Sequence, residues 1–363
     1  MPSTIARLAE SLGVDDQRLA GVMPRRMSEA DVADTARLLH LAWNGDERGK
    51  LAVNEALTTS DLFRSATGEV LAVAILAAYE EMPTQWTKTH ARTTLPDFRP
   101  KKLRDLAGAR TALPKVPEHT NYPEALYAIR ESEISVGKFG EQFGYSFEAR
   151  VNDQLGELRL VPQSWAGKAR RTEDLESLRT LADPLTGAPN TAFFNGGNGN
   201  LGTGALTQEN LQTAVTGVRT KRDTDGNLLY PGQLQLVVGP ALQFTAQRIL
   251  NTQEIRTTEG GVTVIETNPF RDLTLTVRDD LPGSAWFILP VPSSPRPAFY
   301  QGFLIGHETP DTRYRADQGN SQGGSPLGAD AGSFDDDTIY WRTRHITGAA
   351  PGDPVFAYAS DGS

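Results

Sequence analysis

The sequence predicts an α+β protein, and three observations carry that prediction. Apart from one step of six between Ala169 and Leu175, apolar residues recur at steps of three and four through Leu155, Leu158, Val161, Trp165, Ala169, Leu175, Leu178 and Leu181, as one face of a long helix requires. Gln233 to Val238 alternates and then finishes apolar, the pattern of a buried strand. Helical spacing prevails before about residue 80, whereas strand and loop patterns prevail after Pro290.

Residues 1–80 read as short amphipathic helices with polar breaks. Ser3 precedes Ile5, Leu8 and Leu12, and Ser28 precedes Val32, Ala36, Leu39 and Trp43, in each case a capping oxygen ahead of an apolar stripe. Asn44-Gly45-Asp46 stops the second helix, and Thr58 to Leu62 offers another cap. Without an evident shared core these helices suit an arm that packs on neighbours; the alternative is a small helical domain. The longest apolar run, Val70 to Ala78, is about half the ~20 residues a membrane helix needs and reads as a buried helix or arm segment.

Residues 81–130 change character. Arg99, Lys101, Lys102, Arg104, Arg110 and Lys115 crowd together among Pro96, Pro100, Pro114, Pro117 and Pro123, with few apolar residues to form a core. Such a stretch is either a linker or a long hairpin whose partners come from another chain. Extended, ~14 residues per arm would project roughly 45 Å.

Strand signals return at Leu126–Ile129, Ile134–Val136 and Tyr145–Val151, with Gly137, Gly140 and Gly144 as separators. Asn152-Asp153 then caps the long helix, whose charged residues Glu157, Arg159, Lys168, Arg171, Glu173 and Glu176 fall outside the apolar face. Unbroken, ~29 residues would reach roughly 43 Å. Pro162 lies inside it and predicts a kink or a first helix ending near Val161, because an interior proline costs about 3 kcal/mol. Asp183-Pro184 ends the region, so residues 131–187 form one segment around this spine.

Residues 188–290 read as a separate α/β unit. Thr207 caps a helix carrying Leu211, Ala214, Val215 and Val218; Gly239-Pro240 follows the strand ending at Val238 and opens a second helix to Leu250. Further strands are expected over Val262–Glu266, Leu273–Val277 and Ala285–Leu289. Residues 291–363 return as strands at Ala298–Leu304 and Thr338–His345, around a Gly/Ser/Asp-rich loop at 306–333, and end in a tail.

Composition narrows function. The chain of 363 residues has 38% hydrophobic and 22% charged residues, which describes a globular protein. It has no cysteine, which removes disulfides and Cys-ligated metals and fits cytosolic assembly. A net charge of −9 argues against gripping nucleic acid by broad phosphate neutralisation, though not against enclosing it. The N-terminal residues lack a basic stretch followed by an apolar core, so no targeting segment is expected.

Chemical motifs fail on context. Gly197-x-Gly199-x-x-Gly202 matches a dinucleotide fingerprint, but no apolar strand leads into it and no helix follows directly. Gly319-Asn320-Ser321-Gln322-Gly323 matches a nucleophile elbow but sits in a Gly/Ser loop. The histidines at 40, 90, 119, 307 and 345 have no ligand spacing. Asp335–Asp337 reads as a solvated cap, and Glu131 with Glu133 share a strand face without anything to position a substrate. No catalytic residue, cofactor or metal is expected, and the chain reads as no enzyme.

Several stretches in order resemble the major capsid protein of tailed bacteriophages, specifically the Mu-like major head subunit and its prohead-protease-associated relatives. They are Thr59-Ser60-Asp61-Leu62-Phe63, Tyr145-Ser146-Phe147-Glu148-Ala149-Arg150-Val151-Asn152-Asp153, Leu236-Val237-Val238-Gly239-Pro240-Ala241-Leu242 running on to Asn251, and the loop Phe194 to Leu201. The resemblance spans roughly residues 58–348 and leaves 1–57 unplaced. It implies a tailed-phage major capsid fold: an N-terminal arm at 1–80, an extended loop with its base at 81–130, a peripheral domain with the spine helix at 131–187, an axial domain at 188–290, and return strands to the peripheral domain with a tail at 291–363. It implies a virion shell protein, assembled in the host cytoplasm into hexamers and pentamers around double-stranded DNA, with portal, scaffolding and maturation-protease partners and no membrane. Arg99, Lys101, Lys102, Arg104, Arg110 and Lys115 would be inter-subunit contacts. Some relatives cross-link a loop Lys to an Asn near the C-terminus; here the last Asn is Asn320, so no such bond is expected. An encapsulin-like bacterial compartment is the alternative, and a Gly-loop enzyme a more distant one.

Overall fold

The computed structural model describes residues 74–107, 115–122, 128–146, 155–222, 226–252, 254–259, 262–270, 273–315 and 338–363. These fall into two compact units, the first built from residues up to Pro83 with Lys138–Thr172 and Gly306–Ile346, the second from Thr84–Gly137, Glu173–Ile305 and Thr347–Ser363. The expected helices before residue 74, the Asn152-Asp153 cap, the serine elbow and the Asp335–Asp337 cluster all lie outside the described residues.

The second unit is organised on a sheet of five strands. In spatial order they are β5 (Leu201–Gly202), β14 (Tyr358–Ser360), β10 (Trp286–Pro290), β6 (Leu234–Val238) and β9 (Thr274–Val277). Strand β10 runs antiparallel to both β6 and β14, while β6 and β9 run parallel. Every residue of β6 and β10 is buried, because both faces of the sheet are covered. On one face Leu236, Val238, Trp286 and Ile288 pack with Leu211, Ala214 and Val218 of helix α3 (Gln208–Arg219) and with Ala246 and Leu250 of α4 (Gln243–Asn251). On the other, Val237, Phe287 and Leu289 meet Phe193, Phe194, Phe299 and the end of helix α2 (Leu155–Leu181), at Leu178 and Leu181. Two-sided burial is why the central strands read as apolar runs.

Local signals explain the helix ends. Thr207 Oγ1 accepts from the Asn210 N–H at 3.2 Å, the expected cap of α3. Pro240 opens a 3-10 turn, Pro240–Leu242, that leads into α4. The far end of α4 is closed by buried Asn268, whose Nδ2 donates to the carbonyls of Ile249 (2.7 Å), Leu250 (3.2 Å) and Thr252 (2.8 Å). These are carbonyls that a helix end leaves without intrahelical partners.

Beside this sheet, β1 (Ala91–Leu95) pairs parallel with β11 (Phe299–Leu304), and β11 pairs antiparallel with Thr347–Pro351, the last part of the long strand β13 (Ile339–Pro351). Two hairpins complete the unit: β2 (Lys101–Ala107) with β3 (Ala128–Ile134), and β7 (Glu254–Glu259) with β8 (Val262–Thr267).

In the first unit, helical residues 74–81 (α1) pack through Tyr79 on Ala166 and Ala169 of α2. The Arg170 guanidinium lies 3.5 Å from the Tyr79 ring centroid, and its Nε donates to the Tyr79 carbonyl at 2.8 Å. Strand β12 (Asp311–Arg315) pairs antiparallel with β13 over Asp311↔Arg344 to Arg315↔Tyr340, and β4 (Gly137–Tyr145) also pairs with β13.

Several expectations are corrected. Gly137, Gly140 and Gly144 do not separate strands; all three lie in β4. At Gly140 the Thr343 carbonyl oxygen occupies the space a Cβ would need, so glycine permits close strand approach. The strand expected over Tyr145–Val151 reaches only Tyr145 within the described residues. Helix α2 does not end near Val161 but runs through Pro162, because the lost hydrogen bond is one among those of a 27-residue helix. Glu173 was placed on the outer face and is instead fully buried. Strands β1 and β7 were not foreseen, and the C-terminal tail contributes β14 to the central sheet.

Gly348 on β13 packs against the Ser135 carbonyl oxygen so closely that a Cβ cannot fit. Gly348→Ala is therefore expected to lower stability by about 1–3 kcal/mol, the usual range for overpacking, measured by denaturant unfolding.

Candidate assembly hairpin and its anchorage

The basic cluster read from the sequence sits on and around the β2–β3 hairpin. Its strands carry opposite charges at three registers: Lys102 faces Glu133, Arg104 faces Glu131 and Asp105 faces Arg130. Lys102 Nζ in fact bonds the diagonal Glu131 Oε2 at 2.7 Å. The cluster is therefore no bare cationic patch: part of its charge is matched within the hairpin, as cross-strand pairs favour. Lys101 is exposed, its Nζ donating to the Thr94 carbonyl at 3.3 Å, and Arg99 is exposed in the turn where its N–H is held by Asp97. Lys115 is exposed as well, and Arg110 lies outside the described residues. Of Glu131 and Glu133, considered as paired acids, Glu131 bonds Lys102 instead.

The root of the hairpin is buried. Ile134, which ends β3, and Leu95, which ends β1, are both fully buried and both converge on Gly302 of β11; a Cβ there would meet Leu95 Cδ1 at 2.8 Å and Ile134 Cδ1 at 3.0 Å. Val136 is buried next to it.

The chain leading into β1 is held by a buried polar network that sequence reading missed. Asp174 Oδ1 accepts from the backbone N–H groups of Gln85 (2.8 Å) and Trp86 (2.9 Å). Glu173 Oε2 accepts from the Trp86 indole at 2.7 Å. Burial raises the Asp174 carboxyl above its ordinary range, and the two N–H donors act against that rise. Arg278, with no exposed surface, forms a two-pronged pair with Asp280: Nε to Oδ1 at 2.9 Å and Nη2 to Oδ2 at 2.6 Å. Its remaining donors reach Thr89 Oγ1 and Ser177 Oγ, each at 2.9 Å. The signal for this was slight: Trp86, His90, Glu173, Asp174 and Arg278 are far apart in sequence, and only Glu173-Asp174 broke the helical stripe.

In the Gly197–Gly202 loop, Asn195 Oδ1 accepts from the Asn198 N–H and Asn200 Oδ1 from the Asn195 N–H, both at 2.9 Å. Gly199 has φ +58°, and Tyr358 fills the space where Gly202 would carry a Cβ. Of the histidines, His90 and His345 are buried while His119 and His307 are exposed; His40 is outside the described residues. No group of three or more potential metal ligands occurs among the described residues. Nor is any described helix long and apolar enough to cross a membrane.

A family model for the phage capsid protein matches residues 130–360, from β3 of the hairpin to the last strand of the central sheet. The chain belongs to the phage capsid protein family. It is a major capsid protein, a structural component of a bacteriophage head, with a mixed helix-and-sheet capsid fold. Solved structures similar to this capsid protein include a chain of Gordonia phage Cozz, 14% identical at a TM-score of 0.44, with 77% of this chain and 87% of that chain covered. The holo-SrpI encapsulin complex of Synechococcus elongatus PCC 7942 is 12% identical at 0.41, covering 75% and 85%. A virus-like particle from Pyrococcus furiosus is 10% identical at 0.40, covering 80% and 97%. No curated protein matches the sequence.

Because an ion pair with no exposure cannot lose one partner cheaply, Asp280→Ala is expected to cost about 3–5 kcal/mol by leaving Arg278 charged and uncompensated. Urea unfolding measures this, and a change within the ±0.5 kcal/mol typical of surface substitutions would contradict it.

Proposed function

We propose that this capsid protein assembles into hexamers and pentamers of an icosahedral shell that encloses phage double-stranded DNA. The observation that carries the reading is the family match over residues 130–360, which takes in the hairpin strand β3, α2 and the whole central sheet. The family is one of structural shell proteins, and the chain's role is accordingly assembly without catalysis. Its net charge of −9 suits a wall that confines DNA without binding each phosphate. Assembly takes place in the host cytoplasm with portal, scaffolding and maturation-protease partners, and the product is the virion capsid.

Within the subunit, residues 1–80 act as the arm, the β2–β3 hairpin as the base of the extended loop, α2 as the spine and the sheet around β6 and β10 as the axial domain. Arg99, Lys101, Arg110 and Lys115 reach acidic groups of a neighbouring subunit. Lys102 and Arg104 face Glu133 and Glu131 in their own hairpin and contribute to its integrity as much as to the contact.

Negative-stain microscopy of the purified full-length protein tests the reading: closed particles or ring-shaped capsomers support it, and a monomer at all concentrations contradicts it. Particles filled with protein cargo and no DNA from infected cells would point to a compartment instead. Charge reversal separates assembly from folding. Lys101→Glu with Arg99→Glu is expected to reduce particle yield by at least several-fold while leaving the melting temperature of the subunit unchanged, because neither exposed side chain is part of the hairpin's ion pair. Normal particles from that variant would sink the contact assignment.

A further inference from the structure

The hydrogen bonds around His90 favour one neutral tautomer. Thr180 Oγ1 donates its one hydrogen to the Ser177 carbonyl at 2.7 Å, so towards His90 Nε2, 2.8 Å away, it can only accept. Nε2 therefore carries the proton. On the other side Thr89 Oγ1 accepts from Arg278 Nη1 at 2.9 Å, and its own hydrogen is free to go to His90 Nδ1 at 2.8 Å. The result is a directed chain, Arg278 to Thr89 to His90 to Thr180 to the Ser177 carbonyl, closed around a neutral imidazole that also stacks on Phe299 at 5.1 Å.

A second proton on Nδ1 would cost the bond that Nδ1 accepts from Thr89 and place a cation beside Arg278. The charge acting on the ring is Arg278; the other charged groups packed about the Thr84–His90 segment are Asp280 on Arg278, Glu173 and Asp174 on α2, and Lys88 of the segment itself. Asp280 is already engaged by Arg278 and Asp174 by two backbone N–H groups, so neither is free to compensate. Burial first, and the Arg278 charge second, hold the His90 pKa well below its ordinary value.

Several titratable groups hold the same segment down, beside the packing of Trp86 on Phe303: Asp174 at Gln85 and Trp86, Glu173 at the Trp86 indole, His90 at Thr180, and Lys88 at the Val277 carbonyl (2.7 Å). The sheet behind it is held by apolar packing that pH does not touch. We propose that Thr84–His90 is an acid-sensitive latch, docked on α2 while His90 is neutral in its Nε2–H form and released when the imidazole takes a second proton. Release precedes opening of the central sheet and frees the chain between α1 and β1.

The direction follows from proton uptake. A detached His90 binds its proton near the ordinary 6.5, the docked one only at lower pH, so the detached state holds more protons between those values. Docking therefore weakens as pH falls below about 6.5. Asp174 works the other way but lower on the scale: its docked carboxyl is raised from 3.8, so its protonation favours docking only in the carboxylate range.

Hydrogen exchange of the full-length chain between about pH 7.5 and about pH 5, corrected for intrinsic rates, tests the latch. Protection at Gln85 to His90 is expected to fall by up to about tenfold per pH unit while protection in β6 and β10 holds. His90→Gln, which can still donate to Thr180 but cannot titrate, should remove that pH dependence. Equal loss at the segment and at β10 in one transition, or an unchanged profile in His90→Gln, overturns the proposal. Should the variant not fold, histidine-selective nitrogen NMR of the unaltered protein decides: a neutral Nε2–H ring at His90 persisting below about pH 6.5 is expected. An Nδ1–H tautomer, or protonation of the His90 ring at the ordinary value of about 6.5, contradicts the latch. The inference depends on this unit's geometry alone and stands or falls separately from shell assembly.

Discussion

A guanidinium with no contact to solvent constrains everything around it. Arg278 follows β9, and its planar fork is satisfied only if Asp280, Thr89 and Ser177 stay in place. Those partners belong to three separate stretches of chain: the turn after β9, the segment before β1, and the last turns of α2. Such a pair adds little net stability relative to well-packed apolar groups, since desolvation offsets much of the Coulomb attraction. What it supplies here is geometry. With Arg278 in place, the docked position of Thr84–His90 is fixed, β1 enters beside β11 in register, and the root of the β2–β3 hairpin lands on Gly302.

The hairpin is the surface through which we propose that this capsid protein meets its neighbours, and its exposed cations support that reading. The Lys102–Glu131 pair stabilises the hairpin locally and limits its net positive charge, while Arg99, Lys101 and Lys115 remain exposed. A hairpin with few apolar residues has little core of its own; burial at Leu95, Ile134 and Val136 holds only its root. A buried root with an exposed, charge-patterned shaft suits a projection that is completed by another subunit.

Much of the fold was legible because periodicity and punctuation coincide with burial. The two-sided apolar runs of β6 and β10, the Thr207 cap and the Gly239-Pro240 break each encode a local event, and the structure has all of them. What sequence reading missed depends on partners distant in the chain. Glu173 looks like a solvated helix residue until Trp86 is brought to it, and Gly140 looks like a loop residue until the Thr343 carbonyl arrives alongside. At Pro162, of the kink or early end expected, the early end is excluded, because the rest of the 27-residue helix outlasts the local penalty. At the candidate interface the cations were visible, but the register that pairs two of them with glutamates was not.

The central claim is that a rigid, polar-anchored unit presents the β2–β3 hairpin to a neighbouring subunit. Lysine acylation followed by mass spectrometry, on free subunits and on assembled particles, tests it most directly. The account predicts that Lys101 and Lys115 react freely in the subunit and are shielded by at least several-fold in particles. Equal reactivity of both lysines in the two states would contradict it.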